Sequence, residues 1–278
     1  MSENAEYNGI YMMWLLFQDK CEMPTRAEVL EKLTACFGKV DVVSSDSEIG
    51  IYGLCSHMVT YEDNKKVPSQ LMITGLNEIN EPHGDTIART QFWDCPDGVA
   101  LLDSCKYHVM LSDFMAAGLP PVERAGILAN WLDIGLRLFP TCTAVYIDAS
   151  GKLMTAESLR SETNTESLRF IRFVVNVRFF TVQGTEDSVV DTLGLYAIGL
   201  PDIQYHFHGL NPDDVVNHAY NVAIYQFEND ASIKSGQTVA GFEPDSYWRC
   251  QYESSLIKPS RNVLDIEMGE FASGNRRQ

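Results

Sequence analysis

The sequence is short of cations: 21 lysines and arginines stand against 38 aspartates and glutamates, a formal charge of -17. A protein that coats nucleic acid neutralises phosphates with a basic stripe. Apart from Arg276-Arg277, no such cluster occurs. Nucleic acid and anionic membrane surfaces are therefore poor candidates as partners. Long apolar runs are missing too. Ile10-Tyr-Met-Met-Trp-Leu-Leu-Phe17 falls well below the ~20 residues a bilayer span needs and reads as a buried first strand. The opening Met1-Ser-Glu-Asn-Ala-Glu6 is acidic where a secretory signal is basic. No CxxC pair occurs among Cys21, Cys36, Cys55, Cys95, Cys105, Cys142 and Cys250, and their number is odd. That pattern points to reduced, buried thiols and a cytoplasmic protein.

Catalytic signatures are also lacking. There is no GxSxG elbow, HExxH helix, Walker loop or GxGxxG turn. No period of 20–50 residues signals a solenoid, and no Gly/Ser-rich linker divides the chain. The acid pairs Asp97/Asp103 and Asp213/Asp214 read as helix-start residues.

What is present is a chain of 278 residues, 45% hydrophobic and 21% charged, long enough for one large or two compact domains. Thr25 and Glu28 have the spacing of a capping box. Val29, Leu30, Leu33 and Phe37 follow on one helical face, with Gly38 at the end. Strands are expected at 40–43, 51–61, 71–74, 107–114 and 143–148, with a turn at Asp63-Asn-Lys-Lys66 and a short helix at 97–105. Pro120-Pro121 opens a helix in which Ala125, Leu128, Leu132, Leu136 and Phe139 keep helical spacing until Pro140. Ile171, Phe173, Val175, Val177 and Phe179 alternate with Arg172, Asn176 and Arg178, which predicts a strand through 171–180. Another is expected at 192–198, and one in which Ile203, Tyr205 and Phe207 alternate with Gln204, His206 and His208. Asn211-Pro-Asp-Asp214 starts a helix whose inward face is Val215, Ala219, Val222, Ala223 and Phe227. The expected fold is α+β, with mixed or mostly antiparallel sheets and helices packed on them. Two similar-sized halves, 7–155 and 156–268, share an interface and precede a flexible tail at 269–278.

The later part carries a resemblance. Asp191-Thr-Leu-Gly-Leu-Tyr-Ala-Ile-Gly-Leu-Pro-Asp202, the helix from Asp213 to Glu228, Ser235-Gly-Gln-Thr238, Ser254-Ser-Leu and Arg261-Asn-Val-Leu-Asp265 resemble a bacterial domain-of-unknown-function family, number 4261. Met12 to Phe17, Trp93 and Ala144-Val-Tyr146 are similar to its companion region, less specifically. The resemblance implies a shared fold. It carries no catalytic residue across, because the family has no assigned activity.

Two constellations are candidate sites. His206 and His208 lie on one strand face and, with His218 from the next helix or Asp202, could ligate a transition metal. The plainer reading, which the absence of tighter ligand clustering favours, is ordinary surface or partly buried histidines. Arg172, Asn176 and Arg178, placed beside Gln204, would form a positive patch able to hold an anionic ligand, or one paired with carboxylates from the other half. No cofactor is implied, and the oligomeric state stays open. The leading expectation is a non-enzymatic interaction module whose acidic surface suits a basic protein partner. The alternatives are a small-molecule or metal-dependent enzyme with a site between the halves, and a structural homo-oligomer.

Overall fold

The computed structural model describes residues 10–46, 48–60, 64–163 and 166–274, with the backbone alone for Glu166 and Ser167. Asp63 of the expected turn, residues 1–6 and Arg276-Arg277 lie outside the described residues. The fold is α+β, and the chain divides into two compact units, residues 10–174 and 175–274 of those described. No helix among the described residues is long and apolar enough to cross a membrane.

The first unit runs β1 (Met12–Phe17), α1 (Arg26–Phe37), β2 (Val40–Ser45), β3 (Ile49–Thr60), β4 (Lys66–Thr74), β5 (Asn77–Glu78), α2 (Thr86–Arg89), α3 (Gly98–Ser104) and β6 (Tyr107–Phe114). It continues through α4 (Pro121–Leu138), β7 (Ala144–Ile147), β8 (Lys152–Thr155), α5 (Ala156–Ser161) and α6 (Glu166–Val174). Its sheet has the antiparallel order β2-β3-β4-β6-β1-β7-β8, with β5 on β6.

Local signals explain the helices. Thr25 and Glu28 complete the capping box of α1, and Val29, Leu33 and Phe37 are its buried residues. Pro121 occupies the first turn of α4, whose buried face includes Ala125, Leu128, Leu132 and Leu136. Gly135 lets α4 lie close on β6, since a Cβ there would come within 2.3 Å of the Leu111 side chain. The opposite sheet face, with Leu16 and Tyr146, is covered by Phe92, Cys95 and Leu102 from the segment between β5 and β6.

One strand is replaced by a helix. The chain does not run extended through 171–180: α6 ends at Val174, and a new strand starts at Asn176. Phe170, Ile171, Phe173 and Val174 also have helical spacing and are all buried. Val174 and Phe180 interrupt the polar half of the alternation, so the short apolar run was open to either period.

The second unit contains β9 (Asn176–Thr181), β10 (Ser188–Leu193), β11 (Asp202–Phe207), α7 (Pro212–Glu228), β12 (Thr238–Ala240), β13 (Tyr247–Ser254) and β14 (Asn262–Glu267). The sheet order is β12-β13-β14-β11-β10-β9, parallel between β11 and β14 and antiparallel elsewhere. Asn211 caps α7, and its buried residues include Val215, Ala219, Val222, Ala223 and Phe227. The strand expected at 192–198 stops at Leu193. Gly194 takes φ 135°, and Leu195–Ile198 form a 3₁₀ turn. Residues 269–274 do not leave the unit: His208 N–H donates to Phe271 C=O and Ser273 N–H to His206 C=O, both at 2.9 Å.

The first unit has a charge pair in its core. Arg124 on α4 donates from Nε and Nη2 to Asp113 on β6 at 2.6 and 3.0 Å, and the Tyr11 N–H donates to the same carboxylate at 2.8 Å. Removing one partner strands a buried charge, whereas replacing both by apolar groups is often tolerated. Arg124→Met is expected to lower the unfolding free energy by about 3–5 kcal/mol, and Arg124→Met with Asp113→Leu to recover a large part of the loss. Urea denaturation of the three proteins checks this.

Candidate functional site

The second unit places a row of polar side chains straight across its sheet. The register aligns Arg178 on β9, Asp191 on β10, Gln204 on β11 and Asp265 on β14. All four are buried. Burying charge is costly unless every group is paired, and here the pairing is dense. Arg178 donates to Asp191 through Nε (2.9 Å) and Nη2 (2.6 Å), a forked contact. Arg261, just ahead of β14, donates from Nη2 to Asp191 at 2.6 Å and from Nε to Asp202 at 3.0 Å. Its remaining N–H groups reach the carbonyls of Thr192, Ile257 and Pro259, so all five guanidinium donors are used.

Asp202 accepts from the Thr192 hydroxyl and from the N–H groups of Gly194, Leu195 and Tyr196. This contact explains why the extended chain ends where it does: the 3₁₀ turn wraps a buried carboxylate. Burial pushes the Asp202 carboxyl up, against the opposing pull of Arg261 and the Leu195 N–H. The loop between β13 and β14 is pinned from beneath. Arg178 Nη1 donates to the Lys258 carbonyl at 2.9 Å, and Leu256 N–H donates to Gln204 Oε1 at 2.7 Å.

The polar residues read from sequence are distributed as follows. Arg172 lies on α6 in the first unit and pairs with Glu162 at 2.5 Å, so it shares no strand face with Asn176 and Arg178. Those two and Gln204 do share one sheet face, but β10 lies between β9 and β11 and inserts Asp191. The carboxylates of this network come from the same unit, not from the other half. Asp191 and Arg261 were quoted for the resemblance without a role, and Asp202, weighed above as a metal ligand, pairs with Arg261 and the Thr192 hydroxyl. The signal was Asp191 inside the apolar run Val189-Val-Asp-Thr-Leu193, because a carboxylate in a buried strand requires a partner.

The three histidines are not gathered into one site. His206 faces Asp187, 3.5 Å away, and His208 Nδ1 lies 2.9 Å from the Ser273 hydroxyl, which donates to Asp187 at 2.9 Å. The order imidazole, hydroxyl, carboxylate differs from that of a nucleophilic triad, where the imidazole stands in the middle. Here the chain of bonds fastens residue 273 to β11. His218 belongs to the opposite sheet face, since it bonds Tyr205, the strand neighbour of His206. Its Nε2–H donates to the Ala240 carbonyl at 2.8 Å, which leaves Nδ1 to accept from the Tyr205 hydroxyl at 2.7 Å. Among the described residues, no three His, Cys, Asp or Glu side chains are arranged to hold a metal ion.

A groove of about 800 Å³ opens beside His218, lined by Val222 and Tyr225 of α7, Ile233, and the edge strand β12. Tyr225 is 51% exposed and Phe242 41% exposed. Phe242 stacks edge-on against Trp248 and His218, with ring centroids 4.8 and 5.7 Å away. No residue pattern announces this feature, because an edge is a property of topology.

In the first unit, His83 and His108 meet nitrogen to nitrogen at 2.9 Å, with the Trp14 ring against both. Burial pushes His83 down to about 4, with His108 adding to the effect, and burial lowers His108 as well.

The second unit is thus an α+β module with one apolar sheet face under a helix and one charge-pinned face under a loop. Residues 191–267 match the model of the family described as Domain of unknown function (DUF4261), in agreement with the resemblance read from Asp191 onward. No curated protein and no solved structure matches the chain.

Two outcomes follow from the buried ionisable groups. Arg261→Lys keeps one charge but loses the fork that serves Asp191 and Asp202. A loss of about 3 kcal/mol is expected, with faster hydrogen exchange at the Leu256 amide, read by denaturation and by exchange mass spectrometry. His83 has a folded value of about 4, below the ~6.5 of an exposed imidazole. The unfolded chain therefore takes up the proton first, and stability falls as pH drops from about 6.5 to about 4. A slope of roughly 1–2 kcal/mol across that window, after discounting for partial exposure, should flatten in His83→Gln when urea midpoints are compared by pH.

Proposed function

We propose that this protein is a non-enzymatic interaction module, working through the surface of its second unit on a basic protein partner. The observation that carries this reading is the open groove beside β12, with Tyr225 exposed in its wall and Phe242 exposed against His218. Exposed aromatic groups next to a concave surface are typical anchors of protein recognition. The convergent charges supply further support. Arg178, Arg261, Asp191 and Asp202 are engaged with one another beneath a loop, and the Arg261 guanidinium has no donor left for a ligand. The excess of carboxylates in the sequence favours a cationic partner and speeds its approach at low salt.

The test is capture from source-cell lysate by the tagged full-length chain at low and moderate salt, read by mass spectrometry. One basic protein retained in stoichiometric amount at moderate salt is expected, with capture reduced about tenfold or more by Tyr225→Ser. Capture of no partner by the wild-type chain would remove the reading. Retention that Tyr225→Ser leaves unchanged would move the contact away from the groove.

A further inference from the structure

The hydrogen-bond phase of β12 shows which backbone groups face the groove. Antiparallel ladders alternate hydrogen-bonded pairs with pairs whose N–H and C=O groups point outward. Cys250 N–H donates to the Gln237 carbonyl and Gly241 N–H to the Ser246 carbonyl, both at 2.8 Å. Gln237/Cys250 and Gly241/Ser246 are therefore bonded pairs, as is Val239/Trp248 between them. Thr238, opposite Arg249, and Ala240, opposite Tyr247, hold the alternate positions. Their backbone groups point away from β13. The contact of His218 on α7 with the Ala240 carbonyl confirms that direction. Apart from His218, no described group bonds this side of β12. An edge strand with outward N–H and C=O groups is a template for an added strand.

Charge indicates what would add there. Val222 and Tyr225 share a stripe of α7 with Asp214 and Glu228 at its two ends, and both of these carboxylates are exposed. Asp230 follows the helix, and Glu243 and Asp245 lie in the turn between β12 and β13, all exposed. The helix and segments that flank the groove thus carry these five exposed carboxylates, while Lys234 and Arg249 are exposed cations on the same stretches.

We infer that the β12 edge takes up an extended, lysine- or arginine-bearing segment of a partner protein as an additional strand. This rests on the interaction reading above and gives it a mode. The segment pairs through its backbone with the Thr238 N–H and C=O and with the Ala240 N–H, the Ala240 carbonyl being held by His218. Its apolar side chains enter the groove against Val222 and Tyr225, and its cationic side chains reach the flanking carboxylates.

The probe is a fluorescein-labelled nine-residue peptide of alternating lysine and valine, titrated by anisotropy against the full-length chain. Saturable binding is expected, weakened at least about tenfold by raising the salt to half molar, as expected of screened charges. Thr238→Pro removes an outward N–H that the ladder does not use, so the variant should keep its melting temperature while binding at least about tenfold more weakly. A peptide N-methylated at its edge-facing amides, tested on the wild-type chain, makes the same measurement without a variant and should bind equally poorly. The inference is overturned if the lysine-valine peptide does not bind. It is also overturned if an aspartate-valine peptide or the N-methylated peptide binds as well. Undiminished lysate capture by Thr238→Pro would likewise sink strand addition while leaving the interaction reading in place. Capture of nothing by the wild-type chain would instead remove that reading.

Discussion

The second unit depends on one constraint, the cost of having Asp191 in the middle of a buried strand. An ionised carboxylate out of water is tolerable only when fully paired. Two guanidiniums meet that requirement, and each then needs partners of its own. Arg178 turns to the Lys258 carbonyl, and Arg261 turns to Asp202 and to three carbonyls. Asp202 in turn gathers the N–H groups of residues 194–196. Satisfying one charge thus sets the path of the loop before β14 and ends the extended run of β10. A sheet face that could have been packed with hydrocarbon is held by a closed set of charges, which favours a single arrangement more than it adds net stability.

The first unit solves a smaller version of the same problem. Asp113 and Arg124 lie eleven residues apart on adjoining elements and share their contact with one backbone N–H. The comparison separates two uses of buried charge. In the first unit a single forked pair fixes a helix to its strand. In the second, the pairs fix segments that have no regular structure, and for those no ladder of backbone bonds could have done so.

Helices with written ends were legible in the sequence. Thr25, Glu28, Pro121 and Asn211 stand where the physics of helix termini requires them, and the inward faces of α4 and α7 follow from spacing. The alternation through β11 was equally clear, as was the α+β class. Residues 170–174 were not, because a short apolar run satisfies both periods and its packing decides. The candidate site was legible only as a set of residue types. Arg178, Asn176 and Gln204 do share a face, yet whether that face binds a ligand or closes on itself depended on Asp191 arriving between them, a matter of strand order. The groove was invisible for the same reason. Thr238, Val239 and Ala240 have no pattern of their own, and only the topology leaves them at an edge.

The parallel pairing of β11 with β14, and the separation of Asp191 from Arg261 by 70 positions, also set an order in time. Synthesis proceeds at ~5–20 residues per second, so the carboxylate precedes its counter-ion by roughly 4–14 s. During that interval β10 and β11 exist as a chain with two carboxylates and one of their two guanidinium partners. Closure waits for the segment that carries Arg261, and the final fastening of Ser273 to Asp187 waits longer still. The residues that complete the unit are made after those they hold, so a chain interrupted before Arg261 carries its strands without the charges that hold them. Such a fragment is a ready substrate for proteolytic clearance.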